Sequence, residues 1–320
     1  MSDGLRIGVL GCAAIARRRM LPAIAAAGGA TLTAVAGRDA ARARETAAPY
    51  GARPVRGYQE LLDRDDVDAV YVPLPAALHE KWTEAALRAG KHVLAEKPLT
   101  TDPAATGRLL ALARSSGLFL MENVMFVHHG QHATVRRLLA DGAIGELRGL
   151  SADFAVPRLA DDDIRYRADL GGGALWDTGV YPVRAATHLL GDALTVRGAV
   201  LTDGPGREVD TAGTALLSTP EGVAVQLSFG LDHAYRSRYE LWGSEGSLTV
   251  DRVFTPPADH RPEVRLRRGA EARTLRLPAQ DQVLATVEAF VRGVRAGAAP
   301  DGTLLRQAEL LLAIRRAAGR

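Results

Sequence analysis

The chain has 320 residues, of which 47% are hydrophobic and 24% are charged, and this length predicts two domains that each bury a core. A net charge of only +3 and an aromatic content of 5% argue against a nucleic-acid-binding protein, and no apolar run is long enough to cross a bilayer. Because Cys12 is the single cysteine and the N-terminus lacks the pattern of a secretion signal, we expect a cytoplasmic protein without disulfides.

The first predicted element is a strand from Leu5 to Gly11, followed by a tight turn and a helix that runs towards Gly28. In a dinucleotide-binding turn, three small residues allow the turn itself, the approach of the backbone to the pyrophosphate and close helix packing. Gly11, Ala13 and Ala16 occupy those places. Two of the three are alanine, so an ordinary strand–helix turn stays open as an alternative.

The second predicted strand, Thr31 to Gly37, ends at Arg38, where a domain that prefers NAD usually has an acid for the ribose 2′-hydroxyl. A guanidinium binds phosphate through a bidentate fork, so Arg38, with Arg42 one turn later, predicts NADP as the cofactor. The alternative is a solvated first helical turn that Asp39 caps.

The next strands lead to a charged turn. A core strand from Val67 to Leu74 opens into a proline-containing loop that ends near His79, and a helix follows. The following strand runs into Glu96-Lys97-Pro98, where the proline presents the Lys97 ammonium at a defined place. With a last strand from Leu118 to Val124, six strand–helix alternations predict a doubly wound parallel sheet over residues 1–124.

Residues 125–320 have the pattern of an α+β domain. A helix begins near His128, a strand covers Gly145 to Val156, and from Thr195 strands recur with short turns, which predicts an open, mainly antiparallel sheet. Helical patterns return near Asp281 to Ala296 and Leu304 to Ala317. Since such a sheet has one face on its own helices, we expect a homo-oligomer, either a dimer or a tetramer, to cover the other face.

A glycine run, Gly171 to Gly173, precedes a segment that carries Asp177 and Tyr181 one helical turn apart. Carbonyl reduction needs a hydride and a proton donor, and an ammonium near a tyrosine lowers its high pKa. We therefore predict Tyr181 as general acid, Lys97 as its partner and Asp177 as the orienting group. Taken alone, the motif favours a core tyrosine beside a capping aspartate, and the catalytic interpretation is preferred because the chain also has the Glu96-Lys97-Pro98 turn. Which of Tyr181 and Lys97 delivers the proton stays open.

We expect no metal site in the histidine-rich segment. His128 and His132 would share a helical face, which is one way to bind zinc. However, the pattern lacks the glutamate of a zinc-hydrolase helix, and Gly130 interrupts the turn.

The run from Ala89 to Pro98 and the glycine run with Asp177 and Tyr181 resemble the signature motifs of the glucose-fructose oxidoreductase, inositol dehydrogenase and rhizopine-catabolism (Gfo/Idh/MocA) family of nicotinamide-dependent oxidoreductases. The resemblance implies an N-terminal Rossmann-type domain that binds NADP(H), a C-terminal domain for substrate and oligomerisation, and a cis peptide before Pro98. For His79, a structural histidine at the start of a helix is the alternative. The family resemblance implies cofactor contacts from Gly11, Cys12, Ala13, Ala14, Ile15, Ala16, Gly37, Arg38, Leu74, Pro75, His79, Glu96 and Lys97.

Within this family, the run from Met121 to His132 resembles the sugar-nucleotide 3-ketoreductases of antibiotic deoxysugar pathways. The expected activity is therefore NADPH-dependent reduction of the C3 ketone of a dTDP-3-keto-6-deoxyhexose. One alternative is an NADP-dependent sugar or trans-dihydrodiol dehydrogenase that acts on free small molecules. Another is a non-catalytic NADP-binding regulator, although a regulator has no need of Lys97, Asp177 and Tyr181.

A nucleotide-linked sugar needs cations for its diphosphate. Arg158 and Arg165, with Arg167, lie in the loop before the glycine run and are candidates for that role. The alternative is that they pair with the neighbouring acids Asp161 to Asp163.

Overall fold

A computed structural model of the chain describes residues 4–320 and divides into two compact units, each with its own hydrophobic core. The first unit contains the residues up to Asn123 together with Val283–Leu305. The second unit contains Val124–Gln282 and Arg306–Arg320. A helical segment from near the C-terminus is therefore grouped with the N-terminal residues.

The first unit is built on a six-stranded parallel sheet with the strand order β3-β2-β1-β4-β5-β6, which confirms the predicted doubly wound fold. Every residue of β4 is buried, as expected for a parallel strand that is covered on both faces. The strand order reverses between β1 and β4, and sheets of this type bind ligands at the carboxyl ends of the strands there. The strands are β1 Leu5–Leu10, β2 Ala30–Gly37, β3 Arg53–Arg56, β4 Ala69–Val72, β5 His92–Ala95 and β6 Leu120–Glu122.

Capping residues set where the helices begin. Asp39 accepts hydrogen bonds from the backbone N–H groups at the start of α2, and Asp102 does the same for α5. None of the helices within residues 4–320 is both long enough and apolar enough to cross a membrane. The α-helices of this range are α1 Leu21–Ala26, α2 Ala40–Ala47, α3 Tyr58–Leu62, α4 His79–Arg88, α5 Pro103–Ser115, α6 Gly130–Ala140, α7 Val180–Leu190, α8 Gln282–Arg295 and α9 Thr303–Ala317.

The second unit is built on an eight-stranded sheet with the strand order β14-β13-β12-β11-β7-β10-β9-β8. All neighbours are antiparallel except β7 and β10, which run parallel, so the predicted mainly antiparallel sheet is confirmed. The strands are β7 Leu147–Ala155, β8 Thr195–Asp203, β9 Asp210–Ser218, β10 Ala224–Gly230, β11 Arg236–Gly243, β12 Gly246–Asp251, β13 Glu263–Arg268 and β14 Glu271–Arg276.

The two faces of this second sheet differ. Along β9, Leu217 is fully buried, whereas its neighbour Leu216 is 46% exposed. The strand register places Val200 and Trp242, which are 64% and 67% exposed, on the same side as Leu216. We call this side the open face.

Two of the element boundaries that differ from the predicted ones have an identifiable local reason. The strand predicted from Leu118 begins only at Leu120, because the Leu118 N–H bonds back to Ala113 O and so closes the end of α5. The helix predicted near His128 begins at Gly130, because His129 Nδ1 accepts the N–H of Gln131 and caps α6.

Candidate functional site

The turn after β1 has the geometry of a ligand-binding backbone. Gly11 has a φ of 130°, which strains any residue with a side chain, and a Cβ there would also crowd a methyl carbon of Leu74 at 3.1 Å. Ala16 is completely buried, which allows the following helical segment to pack closely. Ala14 and Ile15 are exposed at the start of that segment. This exposed helix start, with its small residues, fits the pyrophosphate of a dinucleotide.

The end of β2 presents a cation beside that turn. The carboxylate of Asp39 is engaged in capping α2 at 2.8 Å from Ala41 N, whereas Arg38 is exposed. A Cβ on Gly37 would lie 3.3 Å from Cys12 Sγ, which shows how closely the two strand ends approach. An arginine at this place fits a 2′-phosphate better than a bare ribose hydroxyl.

Tyr58, at the start of α3, belongs to the same place and was missed by the sequence analysis. Burial raises the pKa of its hydroxyl, while the positive charge of Arg38 opposes that change. Its ring packs edge-on against Trp82 with the ring centres 4.9 Å apart. The signal that identifies it is its place directly after the third strand of the sheet.

The turn that carries Lys97 is fixed by hydrogen bonds of the preceding residue, Glu96. Glu96 is only 9% exposed, and its Oε1 accepts hydrogen bonds from Tyr71 Oη at 2.5 Å and Asn123 Nδ2 at 2.6 Å. The predicted cis peptide between Lys97 and Pro98 is confirmed. The Glu96 carboxylate is therefore hydrogen-bonded to buried side chains of the protein itself.

His79 is likewise committed to the protein. It is 1% exposed, its Nδ1 lies 2.7 Å from Pro98 O and its Nε2 lies 2.6 Å from Leu74 O. Both ring nitrogens are occupied, so neither is available to a bound cofactor. This geometry agrees with the alternative of a structural histidine at a helix start.

In the second unit, the glycine run packs against backbone. A Cβ on Gly172 would lie 2.5 Å from Arg165 O and 2.7 Å from Arg167 O. The run leaves no room for a side chain at Gly172, because the backbone of the preceding loop lies against it. The segment Leu175–Gly179 that follows is π-helical and continues into α7, so this helix is irregular at its start. Asp177 lies in the π-helical part and Tyr181 in the first turn of α7.

A buried carboxylate anchors the start of this helical segment. Asp210 Oδ2 accepts the N–H of Leu175 at 2.6 Å, and a Cβ on Gly173 would lie 2.7 Å from Asp210 Oδ1. Burial raises the pKa of Asp210 above its ordinary value. Asp210 comes from β9, far away in the sequence, so no local pattern predicts its role.

Tyr181 lies in an aromatic cluster. Its ring centre is 4.7 Å from that of Phe154, 5.7 Å from that of Phe254 and 6.1 Å from that of Phe126. The cluster fixes the ring plane of a half-buried tyrosine, which is a requirement for a side chain that transfers a proton along a defined direction.

The two candidate arginines differ in their partners. Arg165 Nε donates to Asp177 Oδ2 at 2.8 Å and its Nη1 lies 3.2 Å from Asp163 Oδ1, and these carboxylates, Asp177 first, raise the pKa of Arg165. Arg158 is 59% exposed and pairs with Asp161 at 3.0 Å. Both arginines therefore have acidic partners, as expected from the alternative that they pair with neighbouring acids. Arg165 also contacts Asp177.

The histidine-rich segment is part of the core. His128 precedes α6, so the predicted shared helical face with His132 is wrong. His132 is buried, its Nδ1 lies 3.0 Å from Tyr239 Oη, and burial lowers its pKa far below the ordinary value. No group of three or more His, Cys, Asp or Glu side chains that could hold a metal ion occurs within residues 4–320.

Family models match both parts of the chain. Residues 5–124 match the oxidoreductase family with an NAD-binding Rossmann fold, and residues 132–249 match the GFO/IDH/MocA C-terminal domain. The chain belongs to the Gfo/Idh/MocA family. This membership confirms the resemblance on which the sequence analysis relied.

Relatives in this family include enzymes of known name. The chain is 56% identical to a dTDP-3,4-didehydro-2,6-dideoxy-alpha-D-glucose 3-reductase of Streptomyces violaceoruber, over 98% of this chain and 95% of the relative. It is 33% identical to a D-xylose 1-dehydrogenase (NADP(+)) of Haloferax volcanii, over 92% of this chain and 91% of that one.

A solved structure is similar over nearly the whole length. A 3-ketoreductase from Actinomadura kijaniata in complex with NADP and TDP-benzene superposes with a TM-score of 0.96 at 51% identity, with 98% of each chain covered. Structures of the same relative include variants of one tyrosine and of one lysine.

Proposed function

We propose that the chain catalyses the NADPH-dependent reduction of the C3 ketone of a dTDP-linked 3-keto-6-deoxyhexose in the biosynthesis of a deoxysugar of an antibiotic. The observation that carries this proposal is the 56% identity, over almost the full length of both chains, to a 3-reductase of such a sugar. The chain has Lys97, Asp177 and Tyr181 in the signature motifs, which supports turnover rather than a regulatory role.

Residues of the first unit would hold the cofactor. The turn from Gly11 to Ala16 suits the pyrophosphate, and Arg38, supported by Tyr58, suits the 2′-phosphate. When bound, NADPH supplies the hydride that reduces the carbonyl carbon. In this proposal residues 1–124 form the cofactor-binding domain and residues 125–320 the substrate domain.

Tyr181 is the proton donor in this proposal. Its hydroxyl gives a proton to the oxygen that becomes the alcohol, so that the ketone gains one hydride and one proton. The Lys97 ammonium stabilises both the developing negative charge on that oxygen and the resulting tyrosinate. In the solved relative, the lysine and the tyrosine that were substituted are as far apart in the chain as Lys97 and Tyr181, which supports this pair.

Asp177 and the two arginines would complete the substrate site. The ion pair with Arg165 keeps Asp177 oriented, so we assign Arg165 to positioning Asp177 as well as to binding substrate. Arg158, whose exposed partner Asp161 contributes little stability, would exchange that carboxylate for the substrate diphosphate. Reversal of charge at Arg158 and Arg165 should then raise the KM for the nucleotide sugar.

A second copy of the chain would cover the open face. Val200, Leu216 and Trp242 are exposed there, and a homodimer or homotetramer would bury them. The reaction would take place in the cytoplasm, where NADPH is available.

The test is the oxidation of NADPH by the purified protein. A dTDP-linked 2,6-dideoxyhexose with a C3 ketone is compared with free sugars and, in the oxidative direction with NADP, with D-xylose and a trans-dihydrodiol. Turnover of the nucleotide sugar alone would establish the proposal. Turnover of free substrates only would favour the dehydrogenase alternative, in line with the xylose-oxidising relative, and tight NADPH binding without turnover would favour the regulator.

A further inference from the structure

A single buried side chain connects two of the loops of the first unit that carry predicted cofactor contacts. His79 is the first residue of α4, and its ring lies between the loop after β4 and the turn after β5. Nε2 is 2.6 Å from Leu74 O in the former, and Nδ1 is 2.7 Å from Pro98 O in the latter. Pro98 directly follows Lys97, so this contact lies one residue from the predicted catalytic ammonium.

The chemistry of these two contacts limits the form of the ring. A carbonyl oxygen only accepts hydrogen bonds, and a neutral imidazole has one N–H. In either neutral tautomer, one nitrogen lone pair would face a carbonyl lone pair at 2.6–2.7 Å, which is repulsive. Only the imidazolium form donates to both carbonyls.

The surroundings of His79 oppose and favour this charge. Burial disfavours it and lowers the pKa of His79 below its ordinary value, and the Lys97 ammonium acts in the same direction. The two carbonyl acceptors and the carboxylate of Glu96 favour the charged ring. We give the contacts more weight than burial, because a neutral ring could not keep both distances.

We infer that His79, as a doubly protonated imidazolium, is a positioning residue that ties the turn carrying Lys97 to the loop of Leu74 and Pro75. It acts through the two backbone carbonyls and touches neither cofactor nor substrate. The role in turnover rests on the proposed function, whereas the protonation of the ring and its effect on NADPH binding do not.

Two amide variants separate the two contacts. In His79→Asn the side-chain amide takes the place of Nδ1 and keeps the bond to Pro98 O, and in His79→Gln it takes the place of Nε2 and keeps the bond to Leu74 O. We expect His79→Asn to weaken NADPH binding about tenfold with kcat nearly unchanged, and His79→Gln to lower kcat about tenfold with the NADPH Kd nearly unchanged. His92→Asn is the matched control, because His92, the first residue of β5, lies in the same unit and accepts a single hydrogen bond, from Phe119 N–H.

The protonation of the ring is measured on the unaltered protein. In NMR spectra of protein labelled with 15N-histidine at neutral pH, the His79 signals, identified by sequential backbone assignment of the unaltered protein, should show two protonated ring nitrogens. One unprotonated nitrogen would overturn the inference, whether or not the variants fold. Equal losses of kcat and NADPH affinity in both variants would also overturn it, because they would indicate a merely structural side chain. Failure of the proposed function would instead appear as absence of turnover in the unaltered protein, with the NMR and NADPH-binding results unaffected.

Discussion

At the scale of single residues, Tyr181 offers the most direct test of the chemistry. Replacing Tyr181 by Phe removes the hydroxyl but keeps the ring that packs against Phe154, Phe254 and Phe126. We expect kcat to fall about 100-fold or more, with unchanged NADPH affinity, because a positioned acid contributes at least that much. Steady-state kinetics and a fluorescence titration with NADPH measure both quantities. Near-native turnover in both Tyr181→Phe and Lys97→Ala would refute the catalytic pair.

Arg38 decides the cofactor at the same scale. Replacing Arg38 by Ala removes the guanidinium whose charge acts on Tyr58. We expect kcat/KM for NADPH to fall about 10- to 100-fold while that for NADH changes little, since charge-assisted bonds to the extra phosphate are lost. Tyr58→Phe, which keeps the ring against Trp82, should have a smaller effect in the same direction. Equal efficiency of the unaltered protein with both cofactors would contradict the assignment.

At the scale of elements, the glycine run should tolerate no side chain at Gly172. A methyl group there would lie within 2.7 Å of two backbone carbonyls, and neither can move without shifting the loop of Arg165. We expect Gly172→Ala to lower the free energy of unfolding by about 2 kcal/mol. Gly198→Ala, where a Cβ meets nothing within 4 Å, is the control and should change it by less than about 0.5 kcal/mol. Urea unfolding measures both, and equal stabilities would show that the loop is not fixed.

The helical segment that carries Asp177 and Tyr181 depends on Asp210. The amide oxygen of Asp210→Asn can still accept the N–H of Leu175, whereas Asp210→Ala cannot, so we expect only the alanine variant to lose about 1 kcal/mol of stability.

The pH dependence has a definite sign. Because burial raises the folded-state pKa of Asp210 above 3.8, the folded protein binds the proton more tightly than the unfolded chain. Relative to Asp210→Asn, the stability of the unaltered protein should fall as the pH rises through that raised pKa. Urea unfolding at several pH values checks this, and a difference that grows in the opposite direction would be inconsistent with a buried carboxylate.

At the scale of the whole molecule, the open face predicts self-association. Trp242 is 67% exposed on a strand of the sheet, so Trp242→Glu should convert an oligomer into a smaller species. Tyr235→Glu is the control, because Tyr235 is also exposed but lies outside the strands. Size-exclusion chromatography with light scattering gives the masses, and an unchanged mass in Trp242→Glu would rule out this face as the interface.

The sequence predicted what local patterns determine. The strand–helix alternation and the turn at Lys97 and Pro98 follow from nearest neighbours along the chain, and the fold class followed from them. The partners of Arg165 and Glu96 could not be predicted, because they depend on how a loop or another strand packs beside them. The contact of His79 with Pro98 O could not be predicted either, for the same reason.

The return of α8 to the first unit has a consequence for synthesis on the ribosome. Phe290 of α8 stacks on Phe119, and Arg295 donates to Gly29 O, so the N-terminal core is incomplete until this helix has emerged. At the usual rate of translation, the intervening segment takes on the order of ten seconds to be made. During that time the nascent chain presents the docking surface of α8 uncovered, to chaperones and to neighbouring nascent chains alike.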